Sequence, residues 1–102
     1  MKRKPSHPGI ILEEMYIKPL SLKQEELAKK LHIARNTLYR LRKGTIGVSA
    51  EMAAKLGKAF NTTAQFWLNL QNAYDLWKAE RSKDVLSVRP IVRSPMVARG
   101  CS

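Results

Sequence analysis

The sequence predicts an all-α chain: five helices packed as one compact domain, followed by an extended basic C-terminal tail. Three observations carry this. Apolar residues recur at helical spacing in five separate stretches, most of them bounded by residues that start or stop helices. A length of 102 residues suits one core and is too short for two. Between Gln24 and Gly44, QEELAKKLHIARNTLYRLRKG, two helical patterns follow one another across a turn too brief to let them separate.

Within that stretch Leu27, Ala28, Leu31, Ile33, Leu38 and Leu41 fit one buried seam shared by both helices. The second helix carries Arg35, Asn36, Thr37, Tyr39, Arg40, Arg42 and Lys43 on its other faces. This is the layout of a helix-turn-helix that reads DNA.

The other elements follow in chain order. Pro8 and Gly9 open a first helix with Ile11, Leu12, Met15 and Tyr16 as its buried stripe, and Pro19 is expected to end it. Ser21 and Gln24 have the spacing of a capping box, which predicts a second helix from Leu22 or Lys23 to about Leu31. His32 falls at the sharp turn, where a positive φ favours glycine and histidine is tolerated. A third helix spans Arg35 to Lys43 and stops at Gly44, suited to a left-handed cap. Ser49 caps a fourth, with Met52, Ala53, Leu56, Ala59 and Phe60 inside, and Gly57 lets a neighbour come close. Thr63 caps a fifth that continues to about Ser82. On it Phe66, Trp67, Leu70, Ala73, Tyr74 and Trp77 share one arc, with Leu68 and Leu76 outside it. That excess of apolar surface predicts a homodimer interface at Trp67, Leu68, Tyr74, Leu76 and Trp77. The chain thus divides into a basic N-terminal arm (1–6), a helix-turn-helix and dimerisation domain (7–81) and a basic tail (82–102), flexible or extended around Val85 to Val92.

The formal net charge is +11, and both ends are basic. Arg35 to Lys43 adds four cations and no acid. A basic helix between basic ends suits a polyanion, most simply double-stranded DNA. The apolar runs are too short to span a bilayer and the N-terminus lacks a signal-peptide pattern, so a cytoplasmic location is expected. The single cysteine, Cys101, and two histidines in separate segments, His7 and His32, build neither a disulfide framework nor a metal site. No metal or cofactor is expected. Of the eight acids, four lie in two adjacent pairs on helix surfaces and the others are scattered, an arrangement that argues against a metal-dependent nuclease or other enzyme.

In a helix-turn-helix the first residues of the second helix enter the major groove and the helix ends meet phosphates. Arginine can donate two bonds to guanine, and asparagine can pair with adenine. These rules select Arg35, Asn36, Tyr39 and Arg40 as base-reading residues. Gln24, Thr37, Arg42, Lys43 and Thr45 are placed for phosphate oxygens.

The segments HPG (His7 to Gly9), QEELAKKL, the closing RKG, VSAEMAAKLGKAF and TAQFWLNLQNAYDLW together resemble the HigA-type antitoxins, a group within the lambda-repressor-like (XRE) helix-turn-helix family. The resemblance covers His7 to Lys78, with His32 and Ala34 departing from its usual turn. It implies a five-helix domain that binds a palindromic operator at its own promoter as a dimer, and a protein partner, a HigB-type mRNA-cleaving toxin. The alternatives are a stand-alone transcriptional regulator with no toxin partner and an RNA-binding or membrane-surface module using the basic ends. The latter lacks a strongly basic amphipathic helix and an aromatic sheet platform.

Overall fold

The computed structural model describes residues 4–92. The chain is all-helical over this span. The first helix, α1, covers residues 8–20 in three continuous segments: Pro8–Leu12, a π-helical turn Glu13–Ile17, and Lys18–Leu20. It is followed by α2 (Gln24–Lys30), α3 (Arg35–Lys43), α4 (Ala50–Phe60), α5 (Ala64–Glu80) and the single turn α6 (Lys83–Leu86).

Contrary to expectation, Pro19 does not end α1. A proline in a helix lacks a donor and crowds the carbonyl four residues back. The π turn immediately before it widens the helix, with the Lys18 N–H reaching back to the Glu13 carbonyl, and the chain continues helical to Leu20. The widening also redirects side chains. Met15, expected inside, is half exposed, while Ile17 is buried.

Ser21 proves to be the left-handed close of α1 (φ 52°), not a cap for α2, whose N-cap residue Lys23 makes no side-chain bond. Left-handed residues close the next helices as well: His32 (φ 56°), Gly44 (φ 80°) and Asn61 (φ 56°). At Ser21, His32 and Gly44 the following N–H bonds the carbonyl five residues back: Leu22 to Ile17, Ile33 to Ala28 and Thr45 to Arg40. At His32 a lysine of α4 adds support, Lys55 Nζ donating to the His32 carbonyl at 3.1 Å.

The caps at Ser49 and Thr63 form as the sequence predicts, the hydroxyls accepting from Met52 N at 3.2 Å and Phe66 N at 3.0 Å. Leu12, Ile17, Leu27, Ala28, Leu31, Leu38, Leu41, Val48, Met52, Ala53, Leu56 and Trp67 form one core. Ala59, placed inside by the sequence reading, is exposed. Helices α4 and α5 pack most extensively on one another, and Gly57 allows it, since a Cβ there would stand 3.0 Å from the backbone of Thr63 and Ala64.

The segment after Ser82 is neither wholly extended nor irregular. Ser82 Oγ accepts from Val85 N at 3.1 Å and caps one helical turn, Lys83–Leu86. Residues 1–3 of the arm and 93–102 of the tail, with Cys101, lie outside the described residues.

Candidate nucleic-acid interface

The helix-turn-helix is held in place from behind by α1. His7 is the N-cap of α1: its Nδ1 accepts from Gly9 N at 2.8 Å, and Pro8 follows at the first helical position, where its missing donor costs nothing. The His7 ring is buried, edge-on to Tyr74 at 5.0 Å and against Gly44, so one side chain joins α1, α5 and the end of α3. Burial lowers its pKa below the ordinary 6.5, against the opposing pull of a hydrogen bond to the Ile46 backbone and the charge of Asp75. Gly9 is required by contact: a Cβ there would fall 1.9 Å from the Leu41 carbonyl oxygen, so α1 crosses α3 backbone to backbone. The HPG triplet is therefore a docking device for α3.

Behind α3 a second polar pin holds the loop that follows it. Gln71, buried in α5, accepts from Val48 N at 2.7 Å and donates to Asp75 at 2.9 Å, and its amide lies against Gly47, where no Cβ would fit comfortably. Nothing in the local sequence marks this glutamine, because its partner lies 23 residues away.

With Leu38 and Leu41 fully buried and Thr37 and Arg42 half-buried, the remaining residues of α3 face outward. Arg35, Asn36, Tyr39 and Arg40 are all exposed, which brings the four predicted base-reading residues onto one accessible surface. Arg35 pairs with Glu25 of α2, an exposed contact that a stronger partner can displace. Lys43 leans over the Tyr39 ring at 5.5 Å. Ala34, the N-cap residue of α3, provides no side-chain bond, so the first N–H groups of this helix remain available to an acceptor.

The predicted phosphate-contacting set divides. Lys43 is exposed and Thr37 half-buried. Arg42 differs from expectation, because its guanidinium is committed within the fold. Nε and Nη2 bond both carboxylate oxygens of Glu13, at 2.7 and 3.0 Å, and Nη1 donates to Gln24 Oε1 at 2.7 Å. The pair is only about a quarter exposed (27% and 21%), and it holds the Glu13 carboxyl below its usual range. Thr45 is exposed, and its hydroxyl donates to the Arg40 carbonyl at 3.2 Å and helps close α3. Gln24 Nε2 donates to the Arg35 carbonyl in a long, exposed bond of 3.4 Å.

Of the residues predicted at a dimer interface, Trp67 is corrected. It has no exposed surface, and its Nε1 donates to Thr62 Oγ1 at 2.8 Å within the core beside Tyr16, Phe60 and Phe66. Leu68 is half-buried against the same core. Tyr74 sits between His7 and Lys78. Trp77 lies between Lys4, 5.5 Å from its ring, and Arg81 at 4.1 Å. Leu76 is 57% exposed.

Among the described residues there is no group of three His, Cys, Asp or Glu able to hold a metal ion, and no helix is long and apolar enough to cross a membrane.

The family profile described as Helix-turn-helix matches residues 14–67, more than half of the chain. An HTH-type transcriptional regulator of Haemophilus influenzae is 47% identical over 83 residues, 81% of this chain and 78% of the relative. Antitoxin HigA-1 of Vibrio cholerae is 37% identical over 76 residues, 74% of this chain and 71% of the relative. The Pseudomonas aeruginosa antitoxin HigA, solved with the higBA promoter, superposes with a TM-score of 0.79 at 33% identity, over 86% of this chain and 99% of that one. The chain belongs to the helix-turn-helix family, on its HigA-type branch. The matched region contains α2, α3 and α4 whole and closes at Trp67, the core residue that joins α5 to them.

Proposed function

We propose that this chain is a DNA-binding antitoxin of a type II toxin–antitoxin pair. As a cytoplasmic homodimer it binds a palindromic operator upstream of its own gene, represses that operon, and neutralises a HigB-type toxin that cleaves messenger RNA. One observation carries the reading: α3 buries Leu38 and Leu41 completely and turns Arg35, Asn36, Tyr39 and Arg40 outward, on a chain that superposes on nearly the whole of a HigA antitoxin solved with its promoter.

In this assignment Arg35, Asn36, Tyr39 and Arg40 read base edges, and Gln24, Thr37 and Lys43 meet phosphates together with the α3 N-terminus. Leu76, with the accessible parts of Leu68, Tyr74 and Trp77 elsewhere on α5, faces the second copy and sets the spacing of two α3 helices. The protein binds and orients DNA and carries out no reaction. A chain of net charge +11 offers bulk attraction only to an acidic partner, so contact with a basic toxin uses local acids such as Glu14, Glu25 and Glu26 or an apolar surface.

The similarity to the H. influenzae transcriptional regulator supports a second reading, a regulator with no toxin. Co-expression with the product of the adjacent gene separates the two. An antitoxin co-purifies with that product and stops it cleaving messenger RNA, whereas a regulator leaves it untouched.

A further inference from the structure

A cleft of about 390 Å³ opens between α1, α2 and α3, lined by Glu13, Lys18, Gln24, Tyr39, Arg42 and Lys43. Two lysines, a phenol and a carboxamide at its walls suit a phosphate oxygen. A carboxylate in the same cleft does not, since an acid facing a DNA backbone repels it.

The geometry resolves this conflict. Glu13 meets both Nε and Nη2 of Arg42, so its charge is answered by a guanidinium held in a fixed plane. The third arm of that guanidinium, Nη1, donates to Gln24 Oε1. A carboxamide has one accepting end and one donating end, and a half-turn exchanges them. With the oxygen held by Arg42 and one N–H given to the Arg35 carbonyl in a long 3.4 Å bond, Gln24 has its second N–H left for an outside acceptor. Without that hold only the long bond to the Arg35 carbonyl would keep the oxygen from facing a phosphate, which it would repel.

We propose that Glu13 is a positioning residue for DNA binding, acting through Arg42 to hold the Gln24 amide oxygen inward and leave its remaining N–H for a backbone phosphate at this cleft. The proposal rests on the reading of the chain as DNA-binding. The charged groups facing Glu13 are Arg42 and Lys43 from α3 and Lys18 from its own helix, and all favour the ionised carboxylate. Lys18 is itself shared with Glu14 at 3.0 Å.

The sign of one substitution tests it. Removing an acid from a DNA-facing cleft should tighten binding if only charge matters. The proposal requires the opposite: Glu13→Gln weakens binding by about threefold or more. Phosphates are the same on every duplex, so the measurement uses a mixed-sequence duplex alongside DNA from upstream of the gene. In a Gln24→Ala background the Glu13→Gln effect vanishes or becomes a slight tightening, which a general loss of folding would not produce. Arg42→Met leaves the salt dependence unchanged, while Lys43→Met lowers its slope by about 0.9. In the free protein, the Gln24 side-chain amide signals in NMR shift as Glu13 titrates, and the shift is lost in Arg42→Met. Tighter binding by Glu13→Gln, an equal loss in the Gln24→Ala background, or amide signals indifferent to Glu13 would each overturn the proposal. Equal affinity for both duplexes would count against the operator reading alone.

Discussion

Arg35, Arg42 and Lys43 are cations on one helix of nine residues, yet the fold gives them three different tasks. Arg35 is exposed and exchangeably paired with Glu25, Arg42 is locked between Glu13 and Gln24, and Lys43 is exposed over the Tyr39 ring. Arg35→Ala should therefore cost about 1–3 kcal/mol on the preferred sequence and relax one base position. Lys43→Ala should weaken all sequences alike, and anisotropy titrations at several salt concentrations will separate the two. His7 gives a prediction about stability. Its folded pKa lies below 6.5, so the unfolded chain binds the proton more readily. The stability His7 contributes is complete above pH 6.5 and is lost as pH falls from there through the folded pKa. Urea melts across this window should show that loss, and His7→Asn, which keeps a capping acceptor without a titrating ring, should remove it.

Helix placement depends on close crossings. Gly9→Ala sets a methyl 1.9 Å from the Leu41 carbonyl oxygen, which forces α1 away from α3 and should cost at least about 1–3 kcal/mol in thermal melts. Gly57→Ala, with 3.0 Å to the α5 backbone, should cost less. At this scale the sequence is legible where the cause is local. Ser49, Thr63 and Gly44 mark helix ends by chemistry contained within a few residues, and all three act as expected. Pro19 and Ser21 mislead because a π turn and a left-handed close outweigh the proline rule and the capping-box spacing. The turn after Ser82 was readable in principle, since Ser82 followed by Asp84 is a helix start. The Glu13–Arg42 pair spans 29 residues, and no local pattern announces it.

In the whole molecule, the aromatic helix α5 serves two purposes that periodicity alone does not separate. Trp67 joins it to the core, whereas Leu76 and the residues near it lie at the surface available to a second copy. A single α3 reads a half-site, so the proposed function requires two of them held at the repeat of the DNA helix. Footprinting on the DNA upstream of the gene tests this most directly. A dimer of this kind protects an inverted repeat with half-site centres about 34 Å apart, and Arg35→Ala and Arg40→Ala shift that protection to higher protein concentration. Protection of a single unrepeated site, or no protection anywhere in that region, would contradict it.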